Sequence, residues 1–174
     1  MGLMAERLDA LVASASSPDG RIEGSYGSAA GASIRFLGSS YRHYTERGLE
    51  HQLSRLAILI WTAYQRGYDT TVAEVSGHPV SRSTETWDAN RRRFREEQAA
   101  TVAEGMSDGG LVYFQNTGML DWHIIIRDGT LSKLDENEFV DELLSGYAAL
   151  SRDYRRKMTE LRTKHYGPDI WQRK

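Results

Sequence analysis

Ten basic residues in two groups are the side chains of this 174-residue chain whose types and spacing most clearly suggest chemistry. Such a stripe can neutralise the phosphates of a nucleic acid, and binding would then fall steeply with added salt. The alternative is a solvated helix surface with internal ion pairs, for which Glu97, Asp153 and Glu160 are well placed. The possible nucleic-acid-binding residues are Arg91, Arg92, Arg93 and Arg95 in the first group, and Arg152, Arg155, Arg156, Lys157, Arg162 and Lys164 in the second.

The total charge argues against a general nucleic-acid binder, but the charge is unevenly distributed. The chain has 22 Lys and Arg residues against 24 Asp and Glu residues, a net charge of −2. Residues 106–150 carry a net charge of −6, whereas residues 151–174 carry +5. A basic protein would have been the simplest signal for nucleic acid. Because positive charge is concentrated at the end of the chain, we expect double-stranded DNA as an alternative partner and not as the leading one.

No catalytic or metal-binding constellation is visible in the sequence. The absence of cysteine excludes disulfides, thiolate nucleophiles and Cys-based zinc sites. The glycines between Gly24 and Gly38 lack the Gly-Lys-Ser/Thr ending of a phosphate loop, so they indicate turns. The five histidines are dispersed without a His-x-x-x-His pair. We therefore expect a protein that is not an enzyme and holds no metal or cofactor. The histidines are His43, His51, His78, His123 and His165.

An internal repeat positions these residues. Shifting the sequence by 90 positions aligns residues 5–67 with 95–157 and gives 11 identities in 63 pairs, where average composition gives roughly four. Turns, alternating segments and helix starts fall into the same register, which favours a tandem duplication. We predict a first unit at 1–76, a linker at 77–83 and a second unit at 84–174.

Each unit is predicted to contain a helix, a three-stranded antiparallel sheet and a long helix. In the second unit we predict a helix from Trp87 to Glu104 and strands at 111–115, 122–126 and 130–134, with Asp128-Gly129 as a hairpin turn. An apolar stripe from Phe139 to Leu161 then predicts a helix of about 30 residues. The first unit follows with a helix at 1–15, strands at 21–26, 33–37 and 41–44, and a long helix capped by Thr45.

The aromatic residues exceed what two small separate cores bury comfortably. Surplus Tyr and Trp side chains are typical of interfaces. We expect many of them to lie between the two units or at a subunit contact. They include Tyr41, Tyr44, Trp61, Tyr64, Tyr68, Trp87, Tyr113, Phe114, Trp122, Tyr147, Tyr154, Tyr166 and Trp171.

Two local motifs carry a resemblance to a known family. Ser17-Pro18-Asp19-Gly20 before a strand is similar to the sheet entry of actinobacterial YbaB/EbfC-like nucleoid-associated proteins. The run Gly118 to Leu134 resembles YbaB-like proteins associated with type VII (ESX) secretion. Classical family members form homodimers that bind double-stranded DNA, and some ESX-associated relatives are secretion accessory proteins. The resemblance implies that two copies in one chain imitate the family dimer.

The sequence thus predicts an α+β protein of two tandem YbaB-like units that form an intramolecular pseudo-dimer. The leading functional interpretation is a non-enzymatic binding module with a protein partner, accessory or chaperone-like, with a link to type VII secretion implied by the resemblance. The alternative is a nucleoid-associated protein that binds double-stranded DNA. A homodimer and a pseudo-dimeric monomer both remain open. Because Met1 to Ala15 lacks a signal-peptide pattern and Leu56 to Trp61 is too short a run to span a membrane, we expect a cytoplasmic protein without membrane contact.

Overall fold

Each half of the chain folds into a helix, three antiparallel strands and a long helix. The computed structural model describes residues 2–80 and 88–168. The first half contains α1 (Leu3–Asp9), β1 (Val12–Ser16), β2 (Ile22–Gly27), β3 (Gly31–Phe36) and α2 (Glu46–Ser76). The second contains α3 (Ala89–Ala99), β4 (Val102–Met106), β5 (Val112–Thr117), β6 (Asp121–Ile126), a short α4 (Thr130–Lys133) and α5 (Glu136–Tyr166). This confirms the predicted α+β class with two tandem helix–sheet–helix units.

The 90-residue repeat holds in the backbone. Strands β1, β2 and β3 form sheet A in that order, and β4, β5 and β6 form sheet B in the same order. Every strand of sheet B begins and ends 90 residues after its counterpart, and so does α5 relative to α2. Pairing follows the same offset, since Val12 pairs with Gly27 and Val102 with Thr117. Any residue can therefore be compared with its counterpart 90 positions away, in the same local structure.

The turn between the first two strands of each sheet is the clearest local copy. The Ser17 N–H donates to the Ile22 carbonyl at 2.8 Å, and the Ser107 N–H donates to the Val112 carbonyl at 2.8 Å. Each serine hydroxyl also accepts the N–H of the buried residue five positions on. The turn closes at Gly20 and Gly110, both with φ of +69°, a backbone conformation that favours glycine. The Ser17–Gly20 motif therefore forms the turn between β1 and β2, and the prediction that it marks the entry to the sheet was wrong, because β1 already precedes it.

The predicted sheets have the right number of strands, but one strand in each was wrong. Residues 41–44 and 130–134 are not strands: Ser40–His43 form a 3-10 helix and Thr130–Lys133 a short helix. Gly129, at φ +80°, starts that helix instead of closing a hairpin. The strands that the sequence does not predict are β1 and β4, most of whose residues fall within the predicted helices 1–15 and 87–104. Alanine and glutamate favour helix locally, but pairing with β2 and β5 overrides that preference.

Both long helices begin, and α5 ends, as their sequences indicate, whereas α2 continues through Asp69 to Ser76, where the sequence predicts a linker. Thr45 caps α2 by accepting the Gly48 N–H, and Asp135 forms a capping box with Glu138 at the start of α5. Gly77 and Gly167 follow the last helical residues of α2 and α5. Residues 81–83 of the predicted linker, and residues 84–87 and 169–174 of the predicted second unit, lie outside the described residues.

The two units share one hydrophobic core. Tyr41 packs on Phe139 of the other unit with ring centroids 5.5 Å apart, and its hydroxyl donates to the Leu134 carbonyl at 3.1 Å. Glu46 accepts the N–H groups of Gly129 and Leu131. These contacts agree with the expectation that aromatic side chains pack between the units. Trp87 and Trp171 lie outside the described residues.

The packing of helix on sheet differs between the units through an exchange of large and small side chains. In the second unit Phe114 lies so close to Gly146 that a Cβ there would come within 2.7 Å of the ring. Their counterparts are Gly24 and Leu56, and a Cβ on Gly24 would lie 3.3 Å from Leu56. The large side chain of the pair lies on the sheet in the second unit and on the helix in the first. The same backbone therefore accommodates two different arrangements of side chains between helix and sheet.

Candidate functional site

The predicted basic residues lie on two helices that pack against each other. The four arginines of the first group are on α3, and the second group is on the C-terminal half of α5. Phe94 of α3 contacts the rings of His165 and Tyr166 at 5.7 and 5.4 Å between centroids. Asn90 donates to the His165 carbonyl at 2.7 Å. The structure thus brings both basic groups to one pair of helices.

Several of these basic side chains are engaged in ion pairs. Arg156 lies 2.6 Å from Asp153 and 2.9 Å from Glu160, and Lys157 lies 2.7 Å from Asp153. Lys164 pairs with Glu97 at 2.6 Å. These contacts are the internal pairing that the sequence offered as the alternative to a phosphate-binding stripe. Others of the set also have partners, namely Arg92, Arg95 and Arg162.

Asp153 and Lys157 also close the outer edge of β4. The Glu104 N–H donates to the Asp153 carboxylate at 3.0 Å, and Lys157 donates to the Val102 carbonyl at 2.8 Å. Burial raises the pKa of Asp153, but hydrogen bonds from Lys157, Arg156 and the Glu104 N–H outweigh it and lower that pKa to about 2. This carboxylate therefore has a structural role, since it binds a backbone N–H on the edge strand β4.

The outward faces of the two sheets differ most between the copies. In sheet A the outward positions, apart from the exposed Val12, carry serines and an ion pair between Glu23 and Arg35. In sheet B they carry large side chains, among which Met106 is 51 % exposed and Ile125 is 54 % exposed. We call this surface the sheet-B face, formed by Val102, Glu104, Met106, Tyr113, Gln115, His123 and Ile125. The corresponding residues of sheet A are Val12, Ser14, Ser16, Glu23, Ser25, Ser33 and Arg35.

Polar contacts hold part of the sheet-B face in place. The Tyr113 hydroxyl donates to Glu104 at 2.7 Å, and the Gln115 amide donates to the same oxygen at 3.1 Å. These hydrogen bonds lower the pKa of the Glu104 carboxyl, while the bond to Glu104 raises the pKa of Tyr113. The aromatic ring is thus fixed in orientation. A fixed aromatic side chain loses little conformational freedom when a partner covers it.

A groove runs beside this face, along the N-terminal half of α2. It has a volume of about 770 Å³ and is bordered on the helix side by Arg47, His51 and Arg55, and on the sheet side by Tyr113 and Ile125. The helix stays beside β6 because Glu50 accepts the Ile126 N–H at 2.8 Å. The groove therefore mixes apolar and polar groups, with Ile125 and Asp121 on the sheet side and two arginines beside Glu50 on the helix side.

A second cavity, inside the shared core, is too small for a metabolite. Its volume is about 80 Å³, and its walls include Leu53, Trp61, Trp122 and Tyr147. An apolar cavity that admits benzene measures about 150 Å³, and drug-sized ligands need at least about 300 Å³. Burial raises the pKa of Tyr26, another wall residue, to about 12, so its hydroxyl stays neutral at physiological pH. This space is best described as imperfect packing between the units.

The histidines do not assemble a metal site within the part of the chain that the structure describes, where no group of three metal-ligating side chains occurs. His123 and Asp121 are neighbours on β6, with 3.4 Å between the imidazole and the carboxylate, but both side chains are exposed. In the same described ranges no helix has the length and apolar character needed to cross a bilayer.

Comparison of the chain with protein-family models, with curated proteins and with solved structures found no match. The function proposed below is therefore argued from the geometry of this chain and from the resemblance of its motifs.

The sheet-B face was not among the predicted site residues. The predicted helix 87–104 overlaps the first strand of this face, β4, so the sequence does not align the outward positions Glu104 and Met106 with Tyr113 and Ile125. A signal was available in the repeat itself, since 102–106 aligns with 12–16 and begins with the same Val-Ala pair. Comparing the copies strand by strand shows where outward residues differ.

Proposed function

We propose that the protein is a non-enzymatic binding module that holds another protein on the sheet-B face and the adjoining groove. The observation that carries the proposal is the contrast between the copies: Met106 and Ile125 are exposed where the counterpart strands carry Ser16 and Arg35. Exposed apolar side chains grouped on one face are typical of interaction sites. Tyrosine and methionine, both present here, are enriched in protein interfaces.

The groove indicates the chemistry of the partner. Its helix wall carries Arg47 and Arg55 beside Glu50, whose carboxylate accepts the Ile126 N–H, and its sheet side carries the apolar groups of Tyr113 and Ile125. A matching partner would insert apolar side chains onto the sheet and place acidic side chains against the helix. The resemblance to ESX-associated proteins supports an accessory or chaperone-like role, in which the partner is a secreted protein or a component of the secretion system.

The repeat supplies substitutions that the backbone already accommodates. The double variant Met106→Ser with Ile125→Arg places the sheet-A residues on the sheet-B face. Because apolar anchors at an interface contribute about 1–2 kcal/mol or more each, we expect at least a tenfold loss of partner binding. The matched control is Ser16→Met on sheet A, which adds an exposed methionine without touching the proposed site.

Quantitative affinity capture from the native host, followed by mass spectrometry, measures the effect. The expected result is a protein recovered in near-stoichiometric amount by the wild type and by the control, and lost with the double variant. Equal recovery by the double variant, with its fold verified by circular dichroism, would overturn the proposed site. Failure to recover any stoichiometric partner would count against the protein-binding function.

Double-stranded DNA is the second candidate, because α3 packs on α5 and brings the two basic groups together. Arg156 and Lys157 are paired with Asp153, so exposed Arg152 and Arg155 are the sharper targets. Charge reversal of these two should weaken DNA binding and reduce its salt dependence by about two ions. No shift of fluorescence anisotropy with labelled duplex DNA at low salt would exclude this candidate.

A further inference from the structure

The outer edge of β1 presents backbone groups that no other part of the described chain binds. The Ser17 N–H donates to the Ile22 carbonyl. Because hydrogen-bonded and non-hydrogen-bonded pairs alternate along an antiparallel ladder, the backbone groups of Ala13 and Ala15 then also bond to β2. The N–H and carbonyl groups of Val12, Ser14 and Ser16 therefore point away from the sheet. Within 2–80 and 88–168 no hydrogen bond reaches these groups. All three residues are exposed.

The equivalent edge of sheet B is closed. Asp153 accepts the Glu104 N–H and Lys157 donates to the Val102 carbonyl, both from α5. The residues of α2 at the corresponding positions are Ala63 and Gly67, which have no polar side-chain group to offer. Among residues 2–80 and 88–168, side chains thus bind the edge of β4 and leave the edge of β1 without a hydrogen-bonding partner.

α2 packs against β1, but the edge lacks three other features that prevent strand pairing. Edge strands are usually protected by charged side chains, proline or bulges. Strand β1 reads Val-Ala-Ser-Ala-Ser and carries no charge, and its five residues pair with β2 without a bulge. An uncharged, regular edge with free hydrogen-bonding groups can accept another strand by β-augmentation.

We propose that a second copy of this chain occupies the edge, with the two β1 strands antiparallel about Ser14. This register uses the full strand: Ser14 faces its own copy, and Val12 faces Ser16 of the other copy. Each of these pairs exchanges two backbone hydrogen bonds, about six in all. The result is a six-stranded sheet, and the sheet-B face and its groove stay free on both copies.

Side-chain complementarity selects a second copy of β1 as the occupant. Ser14, Ser25 and Ser33 lie opposite one another across sheet A, so pairing about Ser14 continues one row of small side chains through the axis. Beneath it, Ala13 would face Ala15 of the other copy. The same operation on β4 would place Glu104 against Glu104, a like-charge pair that is unfavourable when directly opposed. Of the two edges β1 and β4, the β1 edge is therefore the one that can pair with its own copy without opposing like charges.

Sedimentation equilibrium on the intact chain tests the contact. We expect a concentration-dependent rise from the chain mass of 19.7 kDa to twice that value. Ser14→Glu and Ser14→Lys should each be monomeric, because like charges then meet at the axis, and an equimolar mixture of the two should restore the dimer. Ser33→Glu is the matched control, since it lies in the same row but two strands from the axis, and it should dimerise as the wild type does.

Cross-linking gives a second readout that does not depend on affinity. The chain contains no cysteine, so Ser14→Cys introduces a single thiol. Directly opposed residues of such a pair have Cα atoms about 5.5 Å apart, within the range that a disulfide spans. Mild oxidation should yield a covalent dimer with Ser14→Cys and none with Ser33→Cys. A monomer at every concentration, a Ser14→Glu variant that still dimerises, or equal cross-linking of both cysteine variants would overturn the proposal.

Discussion

Substitution of Asp153 by asparagine tests whether this carboxylate stabilises the fold through its charge. The side chain is 19 % exposed and lies within 2.7 Å of both Lys157 and Arg156. Its pKa is lowered from 3.8 to about 2, and each unit of such a shift corresponds to about 1.4 kcal/mol. The charge therefore contributes about 2 kcal/mol at neutral pH. Asparagine keeps the shape and an oxygen that can accept the Glu104 N–H.

The dependence on pH follows from the direction of the shift. A lowered pKa means that the unfolded chain takes up the proton first as the pH falls. The stabilisation by Asp153 is therefore complete well above pH 3.8 and is lost as the pH falls towards 2. From the linkage relation about half of it remains at pH 3. The difference between wild type and Asp153→Asn should shrink accordingly, from about 2 kcal/mol at pH 7 to about 1 kcal/mol at pH 3.

Urea unfolding followed by circular dichroism at a series of pH values measures this difference. Glu160→Gln is the control, because Glu160 also pairs with Arg156 but both side chains are about 60 % exposed. An exposed pair contributes less than about 1 kcal/mol. A penalty for Asp153→Asn that stayed constant from pH 7 to pH 3 would show that the charge is irrelevant. A penalty no larger than that of the control would refute the reasoning altogether.

Three further substitutions test the packing and the hydrogen bonds between elements. Gly105→Ala should lower the free energy of unfolding in urea by about 1–3 kcal/mol, because the new Cβ would lie 2.2 Å from a backbone atom of α5. The control is Ala15→Gly at the matching position of sheet A, which should lower it by less than about 1 kcal/mol. Glu50→Ala removes the acceptor of the buried Ile126 N–H and should lower the free energy of unfolding by about 1–3 kcal/mol. Glu50→Gln keeps an acceptor oxygen and should recover most of that stability. Equal melting temperatures of the two variants would contradict the role of this hydrogen bond. Ser107→Ala removes the hydroxyl that accepts two backbone N–H groups of the turn and should cost about 1–2 kcal/mol, so an unchanged urea midpoint would refute its role.

Local signals in the sequence accounted for much of the fold. The serine turns, the helix caps and the two long amphipathic helices depend on residues close together in the chain, so their patterns were sufficient to place them. The repeat was visible for the same reason, since each copy carries its own turns and caps. Strand β4 was missed because Ala103 and Glu104 are good helix formers whose strand conformation depends on β5 and α5.

The candidate sites show the same division. The basic residues on α3 and α5 could be named from the sequence, and so could the carboxylates that pair with some of them. That Asp153 and Lys157 close the edge of β4 could not be named, because the edge belongs to a strand 49 or more residues away. The sheet-B face likewise needs three strands in register before its exposed side chains become neighbours.

The sequence by itself determined that the chain holds two copies of one α+β unit, because repeats, turns and caps are local properties. Only the tertiary structure decided how the copies differ on their outward faces and sheet edges. It placed Met106 and Ile125 outward on one sheet where the other carries Ser16 and Arg35. Among the described residues, side chains of α5 bind the edge of β4, and no hydrogen bond reaches the edge of β1. These differences arise because exposure and edge pairing depend on which distant elements pack together, and that is set by the shared core.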